Sequence, residues 1–264
     1  MGNLAVDTID VPHILSVLEP IWHTKAETAN RVRSRIERVL SWATARNYRR
    51  GENPARWRGG LEYLLPATGK IKGNVQHLAA LPFVEIPAFM ADLRKRDTVV
   101  ARAVELLVLT AARSGDVRGA CWDEIDGNIW TIPEHRHKSG REFRVPLSRH
   151  AVVVLGEPKP GALVFPGQHG RQLTDKMLLL LVKEMWPGIT VHGMRSSFRD
   201  WAGARTSYPR DVIEMALAHK VKGATESAYW RDDILEKRRR LMEEWAKYCY
   251  SPQLASSEVV ALHA

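Results

Sequence analysis

Six residues with cationic, proton-transferring or nucleophilic side chains stand out between positions 113 and 229. They are Arg113, Lys138, His192, Arg195, His219 and Tyr229. His192 and Arg195 are three residues apart, so on a helix their side chains project from one face. Arg113 follows an apolar run that ends at Ala112, and an arginine buried there needs an anion or a carboxylate partner. These residue types suit chemistry on an anionic substrate.

Each of these residues also has a structural explanation when it is taken alone. Arg113 is close enough in sequence to pair with Asp116. His219 is placed to cap the end of a helix, and Tyr229 fits a hydrophobic core. The order of the whole set along the chain is therefore more informative than any one member.

That order resembles the catalytic set of the tyrosine recombinases, the phage integrase family. Four segments around the set are similar to the family as well: Thr110–Asp116, Arg144–Ser148, His192–Ala202 and Ala228–Arg231. The resemblance covers residues 84–248, and the flanking sequence is similar to that of prophage and genomic-island integrases. It implies a tyrosine-type site-specific DNA recombinase, an enzyme of DNA integration.

The resemblance implies that Tyr229 is the nucleophile and forms a 3′-phosphotyrosyl link with the cleaved strand. A phenol is mostly protonated at neutral pH, so a nearby base or a positive field must activate it. Arg113 and Arg195 would bind the two non-bridging phosphate oxygens, because guanidinium groups match that geometry.

The other three residues would move or donate protons. By the same resemblance, His192 assists proton removal from the tyrosine, His219 donates a hydrogen bond to the phosphate, and Lys138 protonates the departing 5′ oxygen. We expect no cofactor and no metal, because two arginines and a lysine supply the positive charge that Mg²⁺ would otherwise provide.

The chain departs from the family pattern at three places. Ala218 replaces the glycine that usually precedes the histidine, a small-for-small exchange that we expect to be tolerated. Asp116 replaces the more common glutamate and is placed to brace Arg113. The family resemblance also predicts that the chain lacks the amino-terminal arm-binding domain and part of the core-binding domain.

A row of arginines marks the first predicted helix, Lys25–Arg49, which Thr24 and Glu27 are spaced to cap. At about 100° per residue, the arginines share one face beside an apolar stripe. They are Arg31, Arg35, Arg38, Arg46 and Arg49. Because only Glu37 offers an opposite charge in this stretch, the face is predicted to bind DNA phosphates, together with the cluster Arg238–Arg240.

The chain is predicted to be mainly α with a small antiparallel β-sheet, an α+β fold. A partial helical core-type DNA-binding domain at 1–65, a linker at 66–82 and a catalytic integrase domain at 83–264 are expected. Two short strands, Ile129–Pro133 and Phe143–Leu147, should form a hairpin whose basic connection carries Lys138. Apolar periodicity and capping residues predict helices at Ala55–Leu65, Ile86–Arg96, Val99–Ala112, Thr174–Met185, His192–Ala204, Pro209–His219 and Asp232–Tyr248.

Composition agrees with a nucleic-acid partner. The 264 residues include 39 Lys and Arg against 30 Asp and Glu, for a formal charge of +9. No apolar run approaches the roughly 18 residues that span a bilayer, so a membrane is not expected. Two cysteines form no disulfide framework. These features favour a cytoplasmic, nucleoid-associated protein.

Other catalytic signatures are absent from the sequence. Gly69-Lys70 lacks the spacing of a nucleotide-binding P-loop. His135 and His137 are two residues apart, so on a strand they would lie on one face and could bind a metal ion. However, no carboxylate or cysteine cluster accompanies them in the sequence. We interpret them as two exposed histidines in a basic loop.

The expected partners are double-stranded DNA, further copies of the chain on that DNA, and accessory DNA-bending proteins. Three alternatives stay open at this point. The chain could be a DNA-binding remnant without recombination, a strand-nicking enzyme similar to type IB topoisomerases, or a helix-turn-helix regulator. The amphipathic segment Asp232–Tyr248 fits either exchange with a neighbouring protomer or docking on its own domain.

Overall fold

The computed structural model describes residues 2–67, 80–219 and 231–252, with the backbone alone at 231–233. The chain forms two compact units, Met1–His77 and Leu78–Ala264. The predicted linker at 66–82 falls mostly outside the described residues.

The first unit is built on two helices, α1 (Val11–Trp22) and α2 (Ala26–Ala45). Helix α1 has no counterpart in the prediction. Asp10 caps its start, because the Asp10 side chain accepts a hydrogen bond from the His13 backbone N–H at 3.2 Å. Ile14, Leu18 and Trp22 form its buried face, at the spacing expected of an amphipathic helix.

Two predictions for the first unit are wrong. Helix α2 begins after Lys25 without a side-chain cap, so Thr24 and Glu27 form no capping box. Glu27 instead pairs with Arg31 at 2.7 Å. The predicted helix Ala55–Leu65 is only a 3₁₀ turn at Leu61–Tyr63, because Gly59 adopts a left-handed φ of 71° that interrupts a right-handed helix.

The second unit contains eight of the described helices. Their bounds are Ile86–Arg94 (α3), Val99–Thr110 (α4), Ser114–Arg118 (α5), Arg149–Leu155 (α6), Asp175–Met185 (α7), Gly193–Arg205 (α8), Arg210–Ala216 (α9) and Arg231–Cys249 (α10). Short 3₁₀ turns lie at Phe83–Glu85, Trp122–Glu124 and Gln168–Gly170. The predicted helices of this unit are confirmed within a few residues, and α5 and α6 were missed.

A three-stranded antiparallel sheet, ordered β1-β2-β3, lies beside these helices. Its strands are Ile125–Asp126 (β1), Ile129–Ile132 (β2) and Phe143–Pro146 (β3). The predicted hairpin is β2–β3, with Trp130 opposite Val145. The mainly α fold with a small antiparallel sheet is therefore confirmed.

Helix α4 is the centre of the second unit. Every residue from Ala103 to Thr110 is buried, and α3, α6, α7, α8 and α10 all pack against the helix. Trp245 of α10 donates its indole N–H to the Val108 carbonyl at 2.8 Å, so α10 docks on its own unit. Because α4 is enclosed on all sides, the residue that follows its end is held rigidly.

Two negative findings apply to the described ranges 2–67, 80–219 and 231–252. None of their helices is both long and apolar enough to cross a bilayer. No three His, Cys, Asp or Glu side chains gather there in a group able to hold a metal ion.

Candidate active site

Arg113 is aimed by a sharp change of direction at the end of α4. Ala111 ends the helix in the left-handed region, with φ of 49°, and Arg113 then becomes the residue before α5. Its Nη2 donates to the Ala218 carbonyl at 3.2 Å, and its Nη1 lies 2.9 Å from His137 Nε2. Asp116 Oδ2 is 4.0 Å from Nη1, so the predicted brace is present at the outer limit of an ion pair.

Arg195 projects from α8 into the same place. Its Nη1 donates to the Ala111 carbonyl and its Nη2 to the Leu217 carbonyl, the latter at 2.6 Å. Leu217 and Ala218 are adjacent, so the two guanidinium groups bond to neighbouring peptide units. Arg113 and Arg195, 82 positions apart in the sequence numbering, therefore converge.

Arg195 is a buried cation held by carbonyl oxygens. Within the described part of the chain, no carboxylate lies within ion-pair distance of its guanidinium. Burial, and then the neighbouring charge of Arg113, lower the pKa of Arg195 to about 10, which leaves it protonated at neutral pH. A buried cation that lacks a bonded carboxylate is suited to an incoming anion.

His192 lies at the start of α8, one residue before the helix begins. Burial lowers the pKa of His192, and the positive charges of Arg195, Arg113, Lys138 and, when it is protonated, His219 lower it further. The ring is therefore kept neutral, which is the form that can accept a proton. The structure brings five of the six predicted residues into one electrostatic neighbourhood.

His219 is fixed by a carboxylate on α9. Its Nδ1 lies 2.6 Å from Glu214 Oε2, and Glu214 also binds Arg199 at 2.7 Å. Because Nδ1 donates to the carboxylate, Nε2 carries a proton only when the ring is cationic. Glu214 was missed in the sequence, where its place five residues before the histidine offers no helical-face signal.

The turn that precedes His219 is strained. Ala218 has φ of 52°, a left-handed conformation that L-residues other than glycine rarely adopt. This conformation presents the Leu217 and Ala218 carbonyls to the two arginines. The position therefore has a physical reason to favour glycine.

Lys138 is exposed in the connection between β2 and β3, as predicted. His135 is exposed too, but the interpretation of His137 as exposed is wrong: His137 is buried and stacks on Phe143 with ring centroids 5.1 Å apart. The neighbouring sequence carries no signal of this burial, because the partner of the ring, Arg113, lies 24 positions away. Tyr229 lies outside the described residues.

The arginine face of the first unit is only partly as predicted. Arg31, Arg35, Arg38 and Arg46 are exposed, although Arg31 pairs with Glu27. Arg49 is buried and donates to the carbonyls of Val6 at 3.2 Å, Ile9 at 2.5 Å and Glu52 at 3.1 Å. Helix α2 ends at Ala45, so helical spacing no longer places residue 49 on the face.

The cluster Arg238–Arg240 is likewise not a uniform cationic surface. Arg238 is buried, donates to the Arg144 carbonyl at 2.7 Å and lies 4.7 Å from the Phe143 ring centroid. Arg239 and Arg240 both pair with Glu236. The prediction that Arg238 faces DNA phosphates is therefore wrong, because this guanidinium supports strand β3.

The chain is similar to known proteins along most of its length. The phage integrase family matches residues 80–235, and the phage integrase central domain matches residues 1–60. The chain belongs to the phage integrase family. Among family relatives, the integrase of Enterobacteria phage P4 is 28% identical over 276 residues, which cover 94% of this chain and 61% of the relative. Prophage integrase IntZ of Escherichia coli (strain K12) is 31% identical over 257 residues, covering 93% and 61%.

This integrase-family chain thus spans about three-fifths of the length of those relatives. Solved structures share its fold. A lambda integrase dimer bound to a COC′ core site has a TM-score of 0.60 at 18% identity, covering 90% of this chain and 82% of that one. The Tn1549 transposon integrase in complex with circular intermediate DNA has a TM-score of 0.57 at 14% identity, covering 89% and 86%.

Proposed function

We propose that the chain is a site-specific DNA recombinase, an integrase that cleaves and rejoins double-stranded DNA through a 3′-phosphotyrosyl intermediate at Tyr229. The observation that carries the proposal is the pair of guanidinium groups, Arg113 and Arg195, held on adjacent peptide units beside a neutral histidine. Such a pair matches the two non-bridging oxygens of one phosphodiester.

In the cleavage step, the Tyr229 hydroxyl oxygen attacks phosphorus and the bond to the 5′ oxygen breaks. His192, kept neutral by burial and by its cationic neighbours, accepts the phenolic proton, directly or through an ordered group. Lys138 gives a proton to the departing 5′ oxygen. Arg113 and Arg195 stabilise the negative charge that develops on the phosphate oxygens.

His219 would contact the phosphate through Nε2, as a donor in its cationic form. The carboxylate of Glu214 accepts from Nδ1 and so fixes the orientation of the ring. Rejoining reverses the sequence: a 5′ hydroxyl of the partner strand attacks the phosphotyrosine and releases Tyr229. The link conserves the bond energy, so strand exchange needs no nucleotide.

The first unit is proposed as the core-type DNA-binding domain, at residues 1–65, followed by the linker 66–82 and the catalytic domain 83–264. Its exposed arginines would bind DNA phosphates, and accessory bending proteins and further copies of the chain would assemble on the same DNA, in the bacterial nucleoid. The match of residues 1–60 to the integrase central domain supports the assignment.

The test is covalent-adduct formation on a nicked suicide duplex. After cleavage, the short fragment that carries the released 5′ hydroxyl diffuses away, so the strand cannot be rejoined. The wild-type chain is expected to accumulate an adduct that migrates more slowly in a denaturing gel. Tyr229→Phe should bind the duplex with unchanged affinity and form no adduct, because the phenolic oxygen alone is removed. Adduct in that variant, or binding without adduct in the wild type, would contradict the proposal.

A further inference from the structure

His137 occupies a central place between the hairpin and the phosphate site. It belongs to the β2–β3 connection, one residue before Lys138, and its side chain is 1% exposed. Its Nε2 lies 2.9 Å from Arg113 Nη1, and its Nδ1 lies 2.8 Å from Ser139 Oγ. The ring thus links Arg113, through Nε2, to Ser139, the residue that follows Lys138, through Nδ1.

The partners of the ring determine its tautomer. A guanidinium group can only donate hydrogen bonds, so Nε2 must be the acceptor and carries no proton. The proton is then on Nδ1, which donates to the Ser139 hydroxyl oxygen. A cationic His137 would present an N–H to the N–H of Arg113, so the link requires the neutral ring.

The surroundings hold the ring at this place. Phe143 of β3 stacks on it at an interplanar angle of 10°, and the buried Arg238 of α10 packs against Phe143. Arg113, in turn, is tied to the Ala218 carbonyl and approached by Asp116. Lys138 itself is exposed, so its backbone is placed through its two neighbours in sequence.

We propose that His137 is a positioning residue, which ties the connection carrying Lys138 to the Arg113 guanidinium and so sets the lysine at the leaving-group side of the phosphate. The inference rests on the recombinase function proposed above and deepens it. When the His137 acceptor is removed, Arg113 keeps its hydrogen bond to the Ala218 carbonyl. The main loss is therefore expected in protonation of the 5′ oxygen by Lys138.

The link also makes cleavage sensitive to acid. Burial, opposed by Asp116 and reinforced by the charges of Arg113 and Arg195, lowers the pKa of His137 below its ordinary 6.5. The other charged residues around it are Arg238, across Phe143, and its loop neighbours Arg136, Lys138 and Arg141. Arg136 is paired with Glu124 at 2.5 Å, and the main chain of Arg141 opposes the lowering of the pKa. Protonation below that lowered pKa breaks the link, so cleavage falls in acid.

The experiment measures adduct formation by the full chain between pH 5 and 8. Two substrates are used: a normal suicide duplex and one whose 5′ bridging oxygen is replaced by sulfur, a leaving group that needs no proton. The variants are His137→Phe, which still stacks on Phe143 but accepts no hydrogen bond, and His137→Gln, whose amide oxygen accepts from Arg113 and does not titrate. His135→Gln, at the exposed histidine of the same connection, is the matched control.

On the normal duplex, His137→Phe should lose about tenfold or more in rate, the value of one hydrogen bond to a charged group. On the sulfur duplex it should equal the wild type. His137→Gln should stay within about threefold of the wild type at pH 7.5 and show a shallower acidic fall, because only protonation of His192 then remains to slow cleavage. His135→Gln should match the wild type.

A loss in His137→Phe that persists on the sulfur duplex, or no loss on either, overturns the positioning role. An unchanged acidic fall in His137→Gln overturns it too, even where the Phe variant fails to fold. These outcomes are distinct from failure of the recombinase function itself, which is a wild-type chain that forms no adduct on either duplex.

Discussion

At the scale of single residues, main-chain oxygens hold the two arginines of the site. Ala111 and Ala218 are both left-handed, and the carbonyls at 111, 217 and 218 accept from Arg113 and Arg195. An alanine in that conformation costs about 1–2 kcal/mol relative to a right-handed one. The fold thus spends stability on the orientation of its cations.

Replacing Ala218 with glycine should relieve part of this cost. We expect Ala218→Gly to raise the free energy of unfolding by about 1 kcal/mol, because glycine adopts φ of 52° without steric conflict. The carbonyl partners stay, so adduct formation should be retained. Urea unfolding followed by circular dichroism measures the change. Ala216→Gly, at the end of α9, is the control and should lower stability; a similar fall in both variants would show that the turn is not strained.

Glu214 is expected to act through His219. In Glu214→Gln the hydrogen bond to Nδ1 is no longer charge-assisted and the ion pair with Arg199 is lost, so the ring is held less firmly and cleavage should fall by about tenfold. Rates of adduct formation by the full chain give this ratio. Asp211→Asn, an exposed acid on the same helix, should cleave at the wild-type rate. A Glu214→Gln variant that cleaves as fast as the wild type would contradict the role.

At the scale of elements, capping residues and hydrophobic periodicity correctly predicted the helices and strands whose signals lie within a few residues of each other in sequence. Thr174 accepts from the Met177 N–H at 3.3 Å as predicted, and strand β2 alternates in burial. Helix α1 was missed because its apolar residues are followed by Pro20, an unusual residue inside a helix. Burial of His137 could not be predicted from its own surroundings, because Arg113, 24 positions away, supplies its partner.

The end of α10 offers a test of element packing. Tyr250 donates its hydroxyl to Glu105 Oε1 of α4 at 2.5 Å, and Arg94 lies over its ring at 3.9 Å. Tyr250→Phe should lower the free energy of unfolding by about 2 kcal/mol, because the buried carboxylate loses its donor. Tyr208→Phe, which removes a similar bond to the exposed Glu244, should cost less than half as much.

The same tyrosine predicts a pH dependence. Burial, together with Glu105, raises the pKa of Tyr250 above the unfolded value of 10. A raised pKa contributes stability that is complete below pH 10 and is lost as the pH rises above it. The wild type should therefore lose stability in this alkaline range more steeply than Tyr250→Phe. Parallel curves in urea unfolding would contradict the assignment.

At the scale of the whole molecule, the chain carries a formal net charge of +9, but only some of its arginines are exposed to a binding partner. Some arginines are structural: Arg49 and Arg238 bind carbonyls, and Arg33 pairs with Glu37 at 2.6 Å. The exposed members on α2 remain for an external polyanion. Net charge predicts a polyanionic partner, and burial in the fold decides which arginines can contact it.

Neutralising two exposed arginines should change the salt dependence of DNA binding. For Arg35→Gln with Arg38→Gln, we expect the slope of log affinity against log salt to fall by about 2, since each phosphate contact releases roughly 0.9 counterion. Arg49→Gln should leave that slope unchanged and lower stability instead, because its partners are carbonyls of its own unit. Binding titrations between roughly 50 and 300 mM salt measure this slope for each protein. Equal slopes for all three proteins would remove α2 from the interface.

Main-chain anchoring of Arg113 and Arg195 has a consequence for how such proteins diverge. Every amino acid supplies a carbonyl oxygen, so the support of the two cations survives when neighbouring side chains are exchanged. For this support, the backbone conformation at positions 111 and 218 matters more than the identity of the neighbouring side chains. Pocket side chains that take no part in the chemistry can therefore be exchanged without releasing either arginine.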